Sequence, residues 1–373
     1  MARAPAAQET EELPEADRLE GFPHPRETAR LYGHAAAEAA LVETFATERM
    51  HHGWLLTGRE GIGKSTLAYR LARYVLARPE ERDRAGQSLD IAADTMAARQ
   101  VKALSHPGLL VLRRPYDPRA KRFAASILID EVRRLRSFLG HTAGEGAWRV
   151  VIVDAADDLN INAANALLKS LEEPPVRALF LLVASEPSKL LPTIRSRCRR
   201  LDLAPLGAVD LERAAGAALA AASVEMPPAG AWPRLARLAE GSVRRALQLA
   251  GGGGLELYDR IEAIFAKLPA VDWQAAHTLS DGLAFGAQEQ RFEAFWDLFL
   301  DLLARLVRAR ATGLGEAAEL ALAERLIPEG RLAAWAGLWE AALREKTEVQ
   351  ELNLDRKALI LGMLARLEAV SRP

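Results

Sequence analysis

Eight consecutive residues, Gly58-Arg59-Glu60-Gly61-Ile62-Gly63-Lys64-Ser65, carry the spacing G-x-x-x-x-G-K-S, which cradles phosphate. Glycines at these positions let successive backbone N–H groups turn inward around phosphate oxygens, and a helix N-terminus behind them adds positive potential. Lys64 would place a point charge at the β and γ phosphates. The Ser65 hydroxyl would ligate Mg²⁺, with Thr66 beside it on the same turn. The strand-like run Trp54-Leu55-Leu56-Thr57 precedes the loop and a helical pattern from Leu67 to Leu76 follows it, the context this chemistry requires. The expected ligand is ATP or ADP with Mg²⁺.

A phosphate loop that hydrolyses its ligand also needs an apolar strand ending in Asp, which helps hold the metal, and a carboxylate that polarises water. Val150-Val151-Ile152-Val153-Asp154 supplies the first, so Asp154 is the second expected Mg²⁺ ligand, but the next residue is Ala155. The position of the base is therefore empty of acid. Asp157 and Asp158 follow one turn later, where solvated surface charge is the plainer reading and replacement of the base the rival one. The inference is nucleotide binding without efficient hydrolysis.

Positioning these residues takes a parallel sheet. Trp54–Leu56, Leu109–Leu112, Val150–Val153 and Leu179–Val183 are short apolar runs separated by helical patterns, as in an α/β fold with buried parallel strands. Past Pro205 the strand signals stop. Leu211–Ala222 and Trp232–Ala250 read as helices joined by a Pro227-Pro228 break, and the four glycines Gly251–Gly254 read as a hinge. Beyond them the spacing of Phe292, Phe295, Trp296, Phe299 and Leu303, and of Trp335, Leu338, Trp339 and Leu343, is helical and reads as packing surface. Residues 1–20 are rich in Glu and Asp with little to bury, as in a disordered acidic tail. The expected division is a tail at 1–24, a nucleotide-binding core at 25–204, a small helical unit at 205–250 and an all-α unit at 251–373.

Asn162-Ala163-Ala164-Asn165-Ala166-Leu167-Leu168-Lys169-Ser170-Leu171-Glu172-Glu173-Pro174-Pro175, followed by Ser196-Arg197-Cys198, closely resembles the AAA+ clamp-loader family. The resemblance is strong over about 25–250 and weak beyond. It implies an AAA+ core, a three-helix lid and a helical collar that assembles five subunits into a ring. It also implies that Arg197 points across a subunit interface at a neighbour's ATP, a role suited to a guanidinium, whose forked donors match phosphate oxygens and stay charged. Gly241-Ser242-Val243-Arg244-Arg245-Ala246-Leu247 is similar to the family's second sensor segment, which makes Arg244 a contact to the chain's own phosphates. The first sensor falls near Ala184-Ser185, with Ser185 the expected γ-phosphate contact. Asp154-Ala155 in place of an Asp-Glu pair, together with the acidic N-terminal segment, favours the ring's stator over a motor subunit.

Many relatives carry a four-cysteine zinc module after the phosphate loop; here 76–107 holds no cysteine, so no structural zinc is expected there and the segment reads as charged helix or loop. The one cysteine, Cys198, excludes an internal disulfide and fits a cytoplasmic protein. Charge is balanced, 49 Lys+Arg against 50 Asp+Glu, which argues against bulk coating of nucleic acid. The densest basic cluster, Arg113, Arg114, Arg119, Lys121 and Arg122 around Tyr116, could contact template DNA, a partner's acidic face or solvent. His51 and His52 read as structural. The resemblance implies as partners the other loader subunits, a sliding clamp and, through the assembled ring, primer-template DNA. The rivals are an active ATPase, which would need Asp157 or another acid as base, and a DNA-binding protein that keeps nucleotide as a structural ligand.

Overall fold

The computed structural model describes residues 13–28, 30–82, 88–140, 147–251, 253–284, 289–352 and 354–372. Strands are β1 (Gly53–Thr57), β2 (Leu109–Leu112), β3 (Tyr116–Asp117), β4 (Arg122–Phe123), β5 (Arg149–Asp154), β6 (Ala178–Ala184) and β7 (Arg199–Asp202). Helices up to the fourth glycine are α1 (Ala35–Ala46), α2 (Lys64–Leu76), α3 (Met96–Lys102), α4 (Ile129–Gly140), α5 (Ile161–Glu172), α6 (Pro192–Arg195), α7 (Ala208–Ala221), α8 (Trp232–Ala239) and α9 (Val243–Ala250). They are followed by α10 (Gly254–Lys267), α11 (Trp273–Ala284), α12 (Glu289–Thr312), α13 (Ala317–Leu326), α14 (Leu332–Leu352) and α15 (Arg356–Ser371). The chain divides into two compact units, Met1–Leu247 and Gln248–Pro373.

In the first unit five strands form one parallel sheet in the order β2-β5-β6-β1-β7. Continuous Val, Leu and Ile runs suit strands covered on both faces, and every residue of β1 and β6 is buried. Two features position the site. The strand β6 lies between β1 and β5, and the register pairs Thr57 with Ala184 and Asp154 with Val183, so three strand ends finish level. Ligands in open α/β sheets bind beyond such carboxyl ends. Helices α4 and α5 close one face: Val132, Leu135, Ala163, Ala164, Leu167 and Leu171 join Val151, Val153, Phe180 and Leu182 in one buried cluster. Asn160 starts α5 by accepting the Ala163 N–H at 2.8 Å.

The strand β7 and the β3–β4 hairpin lie outside the four apolar runs because neither is apolar. β7 reads Arg-Arg-Leu-Asp and is mostly exposed, a sheet-edge composition. The segment after α2 holds itself with an arginine. Arg82 donates to the Tyr74, Val75 and Ala77 carbonyls at 2.8–3.0 Å, satisfying the end of α2, and its guanidinium lies 4.7 Å from the Phe45 ring centroid.

The acidic segment departs from the expected disordered tail over its described part. From residue 13 it is ordered, because its carboxylates meet basic side chains, one of them nearly a hundred residues away. Glu15 pairs with Arg26 at 2.7 Å and Arg113 at 2.5 Å; Asp17 pairs with Arg113 at 2.9 Å and His24 at 3.0 Å. Residues 1–12 lie outside the described residues.

In the second unit the aromatic stripe of α12 is buried: Phe292, Phe295, Trp296, Phe299 and Leu303 are each no more than 1% exposed. Ring contacts of 5.6–5.8 Å link Phe295, Trp296 and Phe299. Trp335 and Leu338 of α14 are buried, whereas Leu343 is 44% exposed. The four-glycine run is a place of close approach as well as of freedom. A Cβ on Gly254 would lie 2.5 Å from the Gln248 carbonyl oxygen, and Gly253, at φ +78°, caps α10; Gly252 lies outside the described residues.

Candidate nucleotide site

The loop between β1 and α2 is shaped by its glycines. Gly58, Gly61 and Gly63 have φ of +140°, +75° and +107°, and Gly63 caps α2. At Gly61 there is no room for a side chain: a Cβ would lie 2.4 Å from the Cβ of Arg244. The Gly61 carbonyl accepts the N–H of Val243 at 2.8 Å and of Arg244 at 3.3 Å, and the Ser242 hydroxyl donates to the Glu60 carbonyl at 2.8 Å. Arg59 pairs with Glu240, and Arg244 Nε lies 3.3 Å from Glu60. The start of α9 is thus fastened directly to the phosphate loop. From the other side the buried His34 ring lies 2.7 Å from the Ile62 carbonyl oxygen.

A cavity of about 700 Å³ opens over the strand ends. Gly61, Gly63, Lys64, Ser65, Thr66, Asp154, Ser185 and Arg244 line it, and Gly58 shapes the turn below. Leu19, Phe22, Leu31, Ala217 and Leu247 give it an apolar side, so the ordered acidic segment and α7 are walls of the same space. Asp17 lines it too.

Lys64 is 4% exposed, and its ammonium donates to the Gly58 and Arg59 carbonyls at 2.7 and 2.6 Å and to the Ser185 hydroxyl at 2.9 Å. Burial brings its pKa down to about 8, against the opposing pull of Asp154, Glu60 and Asp157. Burial, and then the negative charge of Asp17, pushes Asp154 up to about 7; its hydrogen bond from Ser65 and the charge of Lys64 act the other way. Burial alone would raise Asp17 as well, but His24 and Arg113 outweigh it and hold that carboxyl at about 2. Asp154 Oδ2 is buried with no hydrogen-bond partner among the described residues. A buried, unpartnered carboxylate oxygen on a side chain hydrogen-bonded to the Ser65 hydroxyl suits a hard cation with oxygen ligands, so Ser65 and Asp154 fit Mg²⁺.

The expected phosphate-contacting residues thus come together around one cavity. Arg197 is elsewhere: it follows α6, its Nη2 lies 2.8 Å from Glu172 Oε1, its Nη1 donates to the Thr193 carbonyl at 3.0 Å, and it is not among the residues lining the cavity. The two motif segments Leu171-Glu172-Glu173 and Ser196-Arg197-Cys198 therefore meet at an ion pair. Cys198 faces inward against Gly53, and burial pushes its thiol up to about 12.

The basic cluster divides. Arg113 is held by Glu15 and Asp17 and Arg114 pairs with Asp158 at 3.0 Å, leaving Arg119, Lys121 and Arg122 exposed at the β3–β4 hairpin. The His51 and His52 rings stack at 4.3 Å, and the described residues hold no group of three or more metal-ligating side chains. His34 was missed by motif reading, and so were the pairings of Glu15, Asp17 and Arg113, because no local spacing marks contacts such as His34 to Ile62 or Arg113 to Glu15.

Known proteins resemble this chain in sequence. The family described as "DNA polymerase III, delta subunit" matches residues 33–207. The DNA polymerase III subunit delta' of Pseudomonas aeruginosa is 31% identical over 326 residues, 86% of this chain and 93% of that protein. The delta' subunit of Escherichia coli is 30% identical over 250 residues, 66% of this chain and 63% of that protein. Among solved structures, a gamma subunit-related protein of Thermotoga maritima aligns with 89% of this chain and all of its own, at 20% identity and a TM-score of 0.43. No helix among the described residues is long and apolar enough to cross a membrane.

Proposed function

The chain belongs to the DNA polymerase III delta' family, and from that premise we propose that it is the stator of a clamp-loader ring, binding nucleotide without turning it over efficiently. It would assemble with gamma/tau and delta subunits and help place a sliding clamp on primer-template DNA. The observation that carries the reading is the pairing of a complete phosphate loop with Asp154-Ala155. Gly61, Gly63, Lys64, Ser65 and Asp154 line one cavity, which supports phosphate binding, and the residue after Asp154 has no carboxylate.

Within its own cavity the chain would bind the phosphates through the N–H groups of the loop and the Lys64 ammonium, with Ser65 and Asp154 holding Mg²⁺. The metal would supply charge neutralisation at the phosphate oxygens. Asp154, which burial pushes up to about 7, would hold the cation in its carboxylate form. Arg244 joins the loop to α9 and would carry the state of the phosphates into the lid. Arg197, held by Glu172 and 36% exposed in its side chain, would serve a neighbouring subunit's ATP.

Assembly tests this reading. Mixed with gamma/tau and delta subunits, the chain should co-elute as one complex that loads a clamp onto primed DNA, and omission of the chain should abolish loading. Failure to join those subunits would sink the proposal.

A further inference from the structure

The mid-segment acid Asp157 sits where a substitute for the missing base would be sought, yet its contacts show a different use. Asp157 follows β5 on the short turn Ala156–Asp158. Its Oδ2 accepts two backbone N–H groups, from Ser185 at 3.1 Å and Glu186 at 2.8 Å. Those amides belong to the loop that leaves β6, and the Ser185 hydroxyl in that loop lies 2.9 Å from the Lys64 ammonium. A short relay therefore runs from Asp157 through the Ser185 main chain to the Ser185 side chain and Lys64. Oδ1 of Asp157 is buried and has no hydrogen-bond partner among the described residues, and the residue lines the same cavity.

We infer that Asp157 is a positioning residue for the nucleotide site: it fixes the β6 loop so that the Ser185 hydroxyl is held against Lys64, at the place where the terminal phosphate would bind. This rests on the nucleotide-binding reading above. The physical need is plain. A serine hydroxyl just past a strand end has no ladder to hold it, and one side-chain oxygen that accepts two successive amides ties the β6 loop to the turn after β5. Preorganised donors are effective because they do not have to be gathered when the charge arrives.

Two variants separate holding from charge. Asp157→Asn keeps an oxygen that can accept both amides and removes the charge; Asp157→Ala removes both. Each is compared with wild type in the full chain by amide hydrogen exchange at Ser185 and Glu186 and by binding of a fluorescent ATP analogue with Mg²⁺, after a thermal melt shows that the variant is folded. The expected result is that Asp157→Ala exchanges both amides at least tenfold faster and binds the analogue roughly tenfold more weakly, while Asp157→Asn recovers most of both. Unchanged exchange in Asp157→Ala would overturn the inference, and so would an Asp157→Asn variant as impaired as Asp157→Ala, since the carboxylate would then be acting through its charge. The exchange measurement needs no ligand. If wild-type protein binds no analogue while Asp157→Ala still loses amide protection, the nucleotide reading fails and the holding role of Asp157 stands.

Discussion

Lys64 and Arg197 are cations of the same compact unit held in opposite ways. Only 4% of Lys64 is exposed, and its ammonium donates to two carbonyls of its own loop and to Ser185. The Arg197 side chain is 36% exposed and is steadied by Glu172 and one carbonyl, away from the cavity its own chain encloses. A cation enclosed with its anion site serves a ligand that enters that site. A cation braced at a surface is open to a site that its own chain does not complete, which is the role proposed for Arg197. On the proposed reading, a chain with a full phosphate loop and no acid beside Asp154 would act on hydrolysis in a neighbouring subunit.

The largest effect expected of the enclosed half is at Lys64. Lys64→Ala removes a point charge from the phosphate site and should weaken binding of a fluorescent ADP analogue on the order of 100-fold, since charge-assisted contacts are the strong ones. Binding that survives this change would mean that the loop is not the ligand's seat. Next comes Arg113→Ala, which leaves Asp17, with 3% of its side chain exposed, short of its guanidinium partner. Stripping one partner from a largely buried pair destabilises strongly, and about 2 kcal/mol is expected in a denaturant melt. An unchanged melt would show that the acidic segment does not brace the cavity wall.

A smaller effect is written into Asp154. Its folded pKa, about 7, lies above the ordinary carboxyl value of 3.8, so the folded chain binds more protons than the unfolded one between those values. Stability therefore falls as pH rises from about 4 to about 7 and stays lowered above. The lowered pKa of Lys64 acts in another window, from about 8 to 10.5, where stability rises with pH. Without nucleotide, Asp154→Asn should match wild type near pH 4 and exceed it in stability at pH 7.5, read from melts at the two pH values. A constant difference across the range would contradict the assignment. The least effect is expected at Glu172. Its pair with Arg197 is exposed, and exposed pairs contribute at most about 1 kcal/mol, so Glu172→Ala in the assembled ring should slow turnover only severalfold.

The phosphate loop, Asp154 and the four apolar strands were legible because each is local: a spacing, a strand ending or a run of Val and Leu. The edge strand β7 was not, because an exposed strand of Arg and Asp lacks the apolar signature. The acidic segment was misjudged for a different reason. Glu15 and Asp17 look unburiable by composition, and only the fold brings Arg26, His24 and Arg113 to them. Asp157 was visible as an acid, but its use depends on β6 lying beside β5, a matter of strand order that no motif states.

The central claim is that this chain binds nucleotide for itself and offers its arginine to another subunit. ATP turnover by the isolated chain, and by a reconstituted ring carrying either wild-type protein or Arg197→Ala, tests it most directly. The account predicts a nearly inert isolated chain, and a ring whose DNA- and clamp-stimulated turnover falls on the order of 10³-fold with Arg197→Ala, as for arginine fingers elsewhere. Brisk hydrolysis by the isolated chain, or a ring indifferent to the substitution, would contradict it.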